Sequence, residues 1–177
     1  MTATIAGLGP VMQVAFVPKD FDAALAFWTR TMGVGPFFRI TDLTLEDARY
    51  RGAPADVPFE MALAYWGDVQ VELIRPKSDA PSIYSDWLAA GHEGLHHTCV
   101  LTDDMDAARG ACAAAGAVVV QEARVPGGGE VIYVDTGGGP GTMVEILKTA
   151  PGGPAFFAMM RAAAKDWDGS DPVRIIG

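Results

Sequence analysis

Four polar side chains that stand in apolar segments are candidate ligands for a divalent cation: Gln13, Glu72, His97 and Glu145. A carboxylate that is buried among apolar residues is costly unless it has a partner. Two carboxylates would balance the charge of a divalent cation, and further positions on the metal could hold water or substrate oxygens. Three oxygen ligands and one imidazole nitrogen suit Zn²⁺, Co²⁺, Ni²⁺ or Mn²⁺, and the ligand types do not choose among these metals.

An internal repeat relates the four residues to one another. Segments 13–24 and 97–108 each contain an apolar run, an acidic start and a helical pattern, and their first residues are the glutamine and the histidine. Segments 71–74 and 144–147 are apolar runs that one glutamate interrupts in each case. If the two copies pack with pseudo-symmetry as one open barrel, their polar side chains converge near its middle. The repeat therefore predicts one metal site that both copies build.

Simpler roles exist for each residue taken alone. A single glutamate in a strand more often faces solvent or pairs with an arginine, and Arg75 is close to Glu72 in the sequence. A rival histidine cluster also exists, because His92, His96 and His97 lie close together. In a regular strand the side chains of His96 and His97 point to opposite faces. We therefore expect one of the two inside, and the repeat selects His97.

Each copy of the repeat predicts the element order β-α-β-β-β. In the first copy, apolar residues at helical spacing predict a helix from Phe21 to Met32, with Asp20 as its N-cap and Gly33 at its end. The second helix is predicted over 104–115. Further strands are predicted near 37–43, 59–66 and 71–74 in the first copy and near 117–123, 130–135 and 144–147 in the second.

These elements predict an α+β fold: two tandem βαβββ modules form an open, half-barrel-like mixed sheet around a metal site, and a C-terminal helix and tail follow. The first module takes residues 10–76, and the second takes residues 94–149. A linker over 77–93 joins them, and an extension over 150–177 ends the chain.

Three segments lie outside the repeat. Residues 44–58 read as a polar loop, and the linker contains a short helix from Pro81 to Ala90. The extension begins with a helix from Pro154 to Trp167, whose apolar stripe must cover either an open end of the barrel or a partner subunit.

Composition excludes several classes of function. The chain has 177 residues, half of them apolar, a net charge of −9 and two cysteines. An acidic chain without a basic run is a poor candidate for binding nucleic acid or an anionic membrane, and no apolar stretch reaches the ~18 residues of a membrane span. Residues 1–10 lack the pattern of a signal peptide, and two cysteines are too few for a disulfide framework. We expect a cytoplasmic protein without nucleic-acid or membrane partners.

The sequence resembles the vicinal oxygen chelate superfamily, which includes glyoxalase I, methylmalonyl-CoA epimerase, extradiol dioxygenases and the bleomycin and fosfomycin resistance proteins. The resemblance covers about residues 10–149 and is nearest to the epimerase and glyoxalase I-like branch. Gly-Leu-His-His at 94–97, followed by an apolar strand, is similar to the epimerases, in which the second histidine binds metal. Glu72 and Glu145 match the two other strand ligands of the family, and Gln13 takes its first-strand position. The whole set resembles the ligands of Gln-type glyoxalase I.

Departures from the family pattern reduce the number of reactions that the resemblance allows. The dioxygenases use two histidines and one carboxylate, which Gln13 and two glutamates do not match. Bleomycin-binding members lack the metal ligands that this chain retains. Glyoxalase I has Thr-His-Asn after its middle glutamate, whereas Leu-Ile-Arg-Pro stands here at 73–76, which puts glutathione dependence in doubt. Segment 59–62 resembles an epimerase strand with a further catalytic glutamate, so Glu60 is a candidate second base, with a solvent-facing role as its equal alternative.

The resemblance implies a metal-dependent isomerase, epimerase or lyase that moves a proton next to a carbonyl through a metal-stabilised enolate or enediolate. Glu72 and Glu145 would be both metal ligands and proton carriers, with Glu60 on the opposite face of the substrate. One alternative is a glutathione-dependent glyoxalase I. Another is a protein that sequesters a small molecule without catalysis in a cavity lined by aromatic residues such as Phe37, Phe38, Tyr65, Trp66, Trp87 and Tyr133. We expect a small-molecule carbonyl substrate and a homodimer, which is common in the family.

Overall fold

The protein contains a mixed sheet of eleven strands and four α-helices in a computed structural model that describes residues 4–176. The strands are β1 (Val11–Val17), β2 (Phe37–Thr44), β3 (Glu46–Tyr50), β4 (Ala53–Pro54), β5 (Pro58–Trp66), β6 (Val69–Pro76), β7 (Gly94–Leu101), β8 (Val118–Val125), β9 (Gly129–Asp135), β10 (Met143–Lys148) and β11 (Val173–Ile176). The helices are α1 (Phe21–Ala26), α2 (Ile83–Ala89), α3 (Met105–Ala114) and α4 (Gly153–Ala164), with a 3-10 turn at Ile5–Leu8. The predicted α+β class with an open sheet is confirmed.

The strand order brings the two copies of the repeat together at the centre of the sheet. The order is β11-β2-β5-β6-β1-β7-β10-β9-β8-β3-β4. In each half the last strand runs parallel to the first, β6 beside β1 and β10 beside β7. Antiparallel pairing of β1 with β7 then joins the halves. The four strands that carry the candidate ligands are therefore adjacent, in the order β6-β1-β7-β10.

Both repeat helices begin at the predicted positions, and an aspartate caps each of them. The Asp20 carboxylate accepts a hydrogen bond from the backbone N–H of Ala23, and Asp104 accepts one from Ala107, each at 2.9 Å. Helix α1 continues into a π-helical segment, Phe27–Thr31, so the helical path covers most of the predicted range. The matching caps start the two helices at equivalent points of the repeat.

The outer face of the sheet packs against these helices and so directs the glutamates inward. Phe21 and Leu25 of α1 lie in one buried cluster with Val71 and Leu73 of β6. Because successive side chains of a strand alternate between faces, Glu72, which lies between Val71 and Leu73, points to the inner face. Helix α3 covers β10 in the same way, and Ile146 lies in its cluster.

Helix α2 lies on the inner face and fills one end of it. Its residues Ile83 and Tyr84 are buried in the inner cluster. The side-chain oxygen of Gln121 accepts a hydrogen bond from the Ile83 backbone N–H at 3.2 Å, and the Tyr84 hydroxyl donates to Tyr133 at 3.2 Å. The linker between the modules is thus also part of the core.

The prediction of a polar loop over 44–58 is wrong in part, because this segment contains β3 and β4. Strand β3 pairs with β8, with Arg49 opposite Glu122, and its residues Ala48 and Tyr50 are buried. Strands β2 and β3 lie near opposite ends of the strand order, and Leu45 is the one residue that connects them. A polar strand near the edge of the sheet, whose main partner is distant in sequence, resembles a loop when only local composition is read.

The C-terminal extension covers the inner face of the first half. Met160 of α4 is buried against Leu63 and Tyr65 of β5. The apolar stripe of α4 therefore covers the open sheet of its own chain, which is the first of the two roles predicted for this helix. The tail that follows α4 forms β11 and pairs in parallel with β2.

No helix within residues 4–176 is long and apolar enough to cross a membrane. Both cysteines, Cys99 and Cys112, are free and buried. They contribute small apolar side chains to the interior.

Candidate metal centre

Three of the four predicted ligands converge on the inner face of the sheet. Glu72 of β6, His97 of β7 and Glu145 of β10 each offer a ligand atom, and these atoms lie within 4.8 Å of one another. The Nε2 atom of His97 is 2.9 Å from Oε2 of Glu145 and 3.6 Å from Oε2 of Glu72. The histidine is 0% exposed and each glutamate 6%. Such a set of buried groups could hold a divalent cation.

Gln13 lies beside this cluster with its side-chain oxygen free. Its Nε2 donates a hydrogen bond to Oε1 of Gln70 at 2.7 Å. Its Oε1 is buried and has no hydrogen-bond partner among the described residues. Gln13, Glu72 and Glu145 line the same cavity. A buried carbonyl oxygen without a partner costs about 1–3 kcal/mol, so the amide fits the role of a fourth ligand.

Gln70, which the sequence analysis missed, orients the Gln13 amide. It is fully buried, and it pairs with Gln13 in the register of β6 with β1. A signal for it existed, because Gln70 lies two residues before Glu72 and alternation places both on one face of a strand.

His96 also lies inside, contrary to the expectation that one histidine of the pair would face outward. In the pairing of β7 with β1, His97 is opposite Ala15 and Leu95 is opposite Phe16, which leaves His96 as the extra residue of a β-bulge. A bulge turns a side chain away from the regular alternation. As a result the two histidine Nδ1 atoms are 2.9 Å apart.

A chain of hydrogen bonds directs one nitrogen of His97 toward the carboxylates. The backbone oxygen of Ile83 is 3.2 Å from Nε2 of His96 and can only accept, so this nitrogen carries the hydrogen. Burial and the neighbouring charge of His97 lower the pKa of His96 to about 3, so His96 is neutral and its Nδ1 accepts. His97 therefore donates from Nδ1, and its Nε2 faces the glutamates and can take either a proton or a metal ion.

The charges of the cluster favour a proton on Nε2 of His97 when no cation is bound. Burial opposes a charge on His97, but the hydrogen bonds and charges of Glu145 and Glu72 outweigh it and raise its pKa to about 9. Burial also raises the pKa of Glu72, with a smaller contribution from the charge of Glu145. A protonated imidazole balances one carboxylate, whereas a divalent cation in its place would balance both.

The cluster opens into a cavity of about 290 Å³ between the sheet and α4. Its polar residues, apart from Thr149, are three candidate ligands with Gln70 and Tyr133, and the remaining walls are mainly apolar. Of the six aromatic residues suggested as its lining, Tyr133 is the one that contributes within the described chain. The arrangement can hold a small molecule whose polar end meets the carboxylates.

Glu60 does not reach this cavity, so its assignment as a second base is corrected. It lies on the outer face of β5, next to α1, where Arg39 and Arg75 both donate to its carboxylate. The two guanidinium groups also lie over the ring of Phe21, at 5.5 and 4.9 Å from its centroid. The carboxylate is thus buried and paired with two arginines, away from the cavity.

Replacing Glu60 with glutamine is expected to lower the free energy of unfolding by about 2 kcal/mol near neutral pH, since two charged hydrogen bonds are weakened. Burial alone would raise the pKa of Glu60, but the hydrogen bonds and charges of Arg39 and Arg75 lower it overall. The stability that the Glu60 ion pairs contribute is therefore present above the ordinary pKa of a glutamate, near 4.5. It is lost as the pH falls through the lowered pKa that Glu60 has in the folded protein. Urea unfolding at about pH 7 and about pH 4 measures this difference.

The exposed Glu46 on β3 provides the matched control, and Glu46→Gln is expected to change stability by less than about 0.5 kcal/mol. A Glu60→Gln protein as stable as the unsubstituted chain at neutral pH would contradict the ion-pair role.

A family model described as the glyoxalase/bleomycin resistance protein/dioxygenase superfamily matches residues 12–134. The match includes Gln13 of β1 and His97 of β7, and it ends before β10 and α4. None of the curated proteins searched matches the chain in sequence.

Solved structures share this fold at low sequence identity. A methylmalonyl-CoA epimerase from Mycobacterium tuberculosis has a TM-score of 0.56 and 15% identity, over 88% of this chain and 96% of its own. A variant of the Streptomyces coelicolor methylmalonyl-CoA epimerase, in complex with 2-nitronate-propionyl-CoA, has a TM-score of 0.53 and 20% identity, over 81% and 96%. The hypothetical protein BH1468 from Bacillus halodurans has a TM-score of 0.53 and 15% identity, over 79% and 94%. At these identities the likeness shows the fold.

Proposed function

Because the chain belongs to the glyoxalase/bleomycin resistance protein/dioxygenase superfamily, we propose that it is a metal-dependent isomerase, epimerase or lyase that moves a proton next to a carbonyl group. The proposed metal ligands are Gln13, Glu72, His97 and Glu145. The observation that carries this proposal is the convergence of two buried carboxylates on one histidine nitrogen at the end of a cavity. Buried carboxylates that share no arginine or lysine call for another cation.

The chain's own residues prepare the site for this role. When bound, a divalent cation would supply Lewis-acid stabilisation of negative charge on a carbonyl oxygen of the substrate. His96 fixes the tautomer of His97, and Gln70 holds the Gln13 amide by its nitrogen, which leaves the Gln13 oxygen without a protein partner. Zn²⁺, Co²⁺, Ni²⁺ and Mn²⁺ all fit the donor set.

Glu72 and Glu145 are the proposed proton carriers. They lie on β6 and β10, on opposite sides of the central β1–β7 pair, and both line the cavity. One carboxylate can take a proton from the carbon beside the carbonyl, and the other can return it.

Replacing His96 with leucine is expected to weaken Zn²⁺ binding about 10- to 100-fold, because the partner that fixes the His97 tautomer is lost. His96→Asn keeps an acceptor near the former Nδ1 position and is expected to lose less. Competition with a chromophoric chelator measures the dissociation constants. His92→Leu is the control, since His92 is partly exposed and lies outside the cluster. Unchanged affinity in a folded His96→Leu protein would show that His96 does not position His97.

Exchange of substrate protons with deuterated water tests the proposed reaction. The panel contains α-hydroxy ketones, diketones, enolisable ketones and acyl thioesters, the last because an epimerase with this fold is known in complex with an acyl-CoA analogue. Proton NMR should show that the metal-loaded protein speeds deuterium entry next to the carbonyl of at least one compound. A chelator should stop the exchange, and added metal should restore it.

Absence of exchange would favour the alternative function, a protein that sequesters a small molecule without catalysis. If panel compounds bind in the cavity of the metal-loaded protein and none of them exchanges, the enzymatic proposal fails. The homodimer and the cytoplasmic location remain predictions from the sequence.

A further inference from the structure

The cavity at the cluster has a polar end and an apolar remainder. Its polar end consists of Gln13, Glu72 and Glu145 together with Gln70 and Tyr133. Away from that end, its walls come from β2, β5, β9, β10 and α4, with side chains that include Ile40, Met61, Val131, Leu147 and Phe157. A molecule in the cavity therefore contacts polar atoms at one end and apolar side chains elsewhere.

No positively charged side chain is available to a substrate inside this cavity. Within residues 4–176, neither lysine, arginine nor histidine lines it. Arg39 and Arg75 are paired on the outer face of the sheet, and Arg161 of α4 lies over the ring of Tyr65 at 4.6 Å and lines a different cavity. An anionic group away from the cluster would thus be buried without a partner, which is costly.

Helix α4 contributes the side of the cavity that faces the sheet. Phe156 and Phe157 line it, and both lie beyond residue 134, where the family match ends. The contacts that a substrate makes with this wall therefore depend on the C-terminal extension, and family membership does not predict them.

We infer that the substrate is an uncharged carbonyl compound with an apolar body, held with its oxygens toward the cluster and its body against α4. This inference rests on the proposed function. The volume of about 290 Å³ lies at the lower limit of small-molecule sites, about 300–1,000 Å³. Such a cavity does not suit the charged body of a glutathione conjugate, and it disfavours acyl groups with a free carboxylate beyond the reacting centre.

A pair of hydroxamates that differ at the end of the tail tests this inference. Octanohydroxamic acid and suberic acid monohydroxamate share the metal-binding group and the chain length, but the second ends in a carboxylate. Calorimetric titration of the Zn²⁺-loaded protein is expected to give at least about tenfold tighter binding for the uncharged tail. Acetohydroxamic acid, which has almost no tail, is expected to bind more weakly than octanohydroxamic acid.

Two lysine substitutions test where the selection occurs. Met61→Lys places a cation in the cavity wall and is expected to reduce the preference for the uncharged tail or to reverse it. Thr149→Lys, at a partly exposed position of the same cavity, is a second variant with less effect on the core. Met159→Lys is the matched control, because Met159 of α4 is 41% exposed and does not line the cavity.

The possible results separate this inference from the proposed function. If acetohydroxamic acid binds but the two long probes bind equally, or the carboxylate probe binds more tightly, the metal site stands and the inferred substrate class is wrong. If octanohydroxamic acid binds no better than acetohydroxamic acid, the cavity does not take an apolar body. If none of the three binds the Zn²⁺-loaded protein, the bound metal offers no position to a ligand in the cavity, and the proposed function and the inference are both contradicted.

Discussion

Replacing His97 with alanine is expected to lower the affinity of the protein for Zn²⁺ more than about a hundredfold, beyond the loss typical of a residue that only supports a ligand. His97 supplies the nitrogen of the cluster, and its Nε2 lies closest to both carboxylates. Without it, Glu72 and Glu145 would face each other with no cation and no imidazole between them. Competition titration measures the affinity, and elemental analysis of the purified protein measures the bound metal.

Thermal unfolding gives an independent measure of the same change. Metal at about a thousand times its dissociation constant stabilises a folded protein by about 4 kcal/mol. This stabilisation should raise the Tm of the unsubstituted chain and should be absent from the His97→Ala protein. His92→Ala, which changes a histidine outside the cluster, should keep it. A folded His97→Ala protein that retains the metal and its stabilisation would contradict the assignment of this ligand.

Glu72→Gln and Glu145→Gln are each expected to slow deuterium exchange into a responsive substrate about 10²- to 10⁴-fold at saturating metal. Glutamine keeps an oxygen that can bind a cation, as proposed for Gln13, but it cannot accept the substrate proton. The comparison at saturating metal separates the loss of the base from the loss of affinity. Proton NMR in deuterated water measures the rates.

Glu60→Gln is the control for both substitutions, because Glu60 is a buried glutamate on the other face of the sheet. Its exchange rate should remain near that of the unsubstituted protein under conditions in which it is folded. Full exchange activity in both Glu72→Gln and Glu145→Gln would show that neither carboxylate carries the proton.

The central part of the fold was predictable because local patterns determine it. Alternation in β6 and β10 places one glutamate of each strand opposite the helix-covered face. Aspartate caps at equivalent positions mark the starts of α1 and α3. The repeat adds the long-range information that local patterns lack, since it relates Glu72 to Glu145. These patterns predicted the three residues that converge in the structure.

The remaining features depend on pairing between distant segments. His96 lies inside because β7 has a bulge opposite β1, and nothing in residues 94–97 alone reveals a bulge. Glu60 points outward because the register of β5 with β6 sets it opposite Arg75, whereas Leu63 is opposite Glu72. That register depends on the turn and on the packing of both strands.

The same reason explains the elements that the sequence analysis missed. Strands β3 and β11 pair with β8 and β2, which are far from them in sequence. The polar sequence of β3 carries little intrinsic preference for a strand, and its pairing with β8 makes it one. Strand β11 is mainly apolar but only four residues long, so a pattern confined to it is too short to identify a strand.

The most direct test of a metal site is an anomalous difference map from crystals of the protein grown with Zn²⁺ or Co²⁺ and measured at the absorption edge of the metal. We expect one strong peak between β6, β7 and β10, at about 2.0–2.2 Å from His97 Nε2 and from oxygens of Glu72 and Glu145. The oxygen of Gln13 should complete the protein ligands. A map without a peak at this cluster, from a protein saturated with metal in solution, would contradict the account.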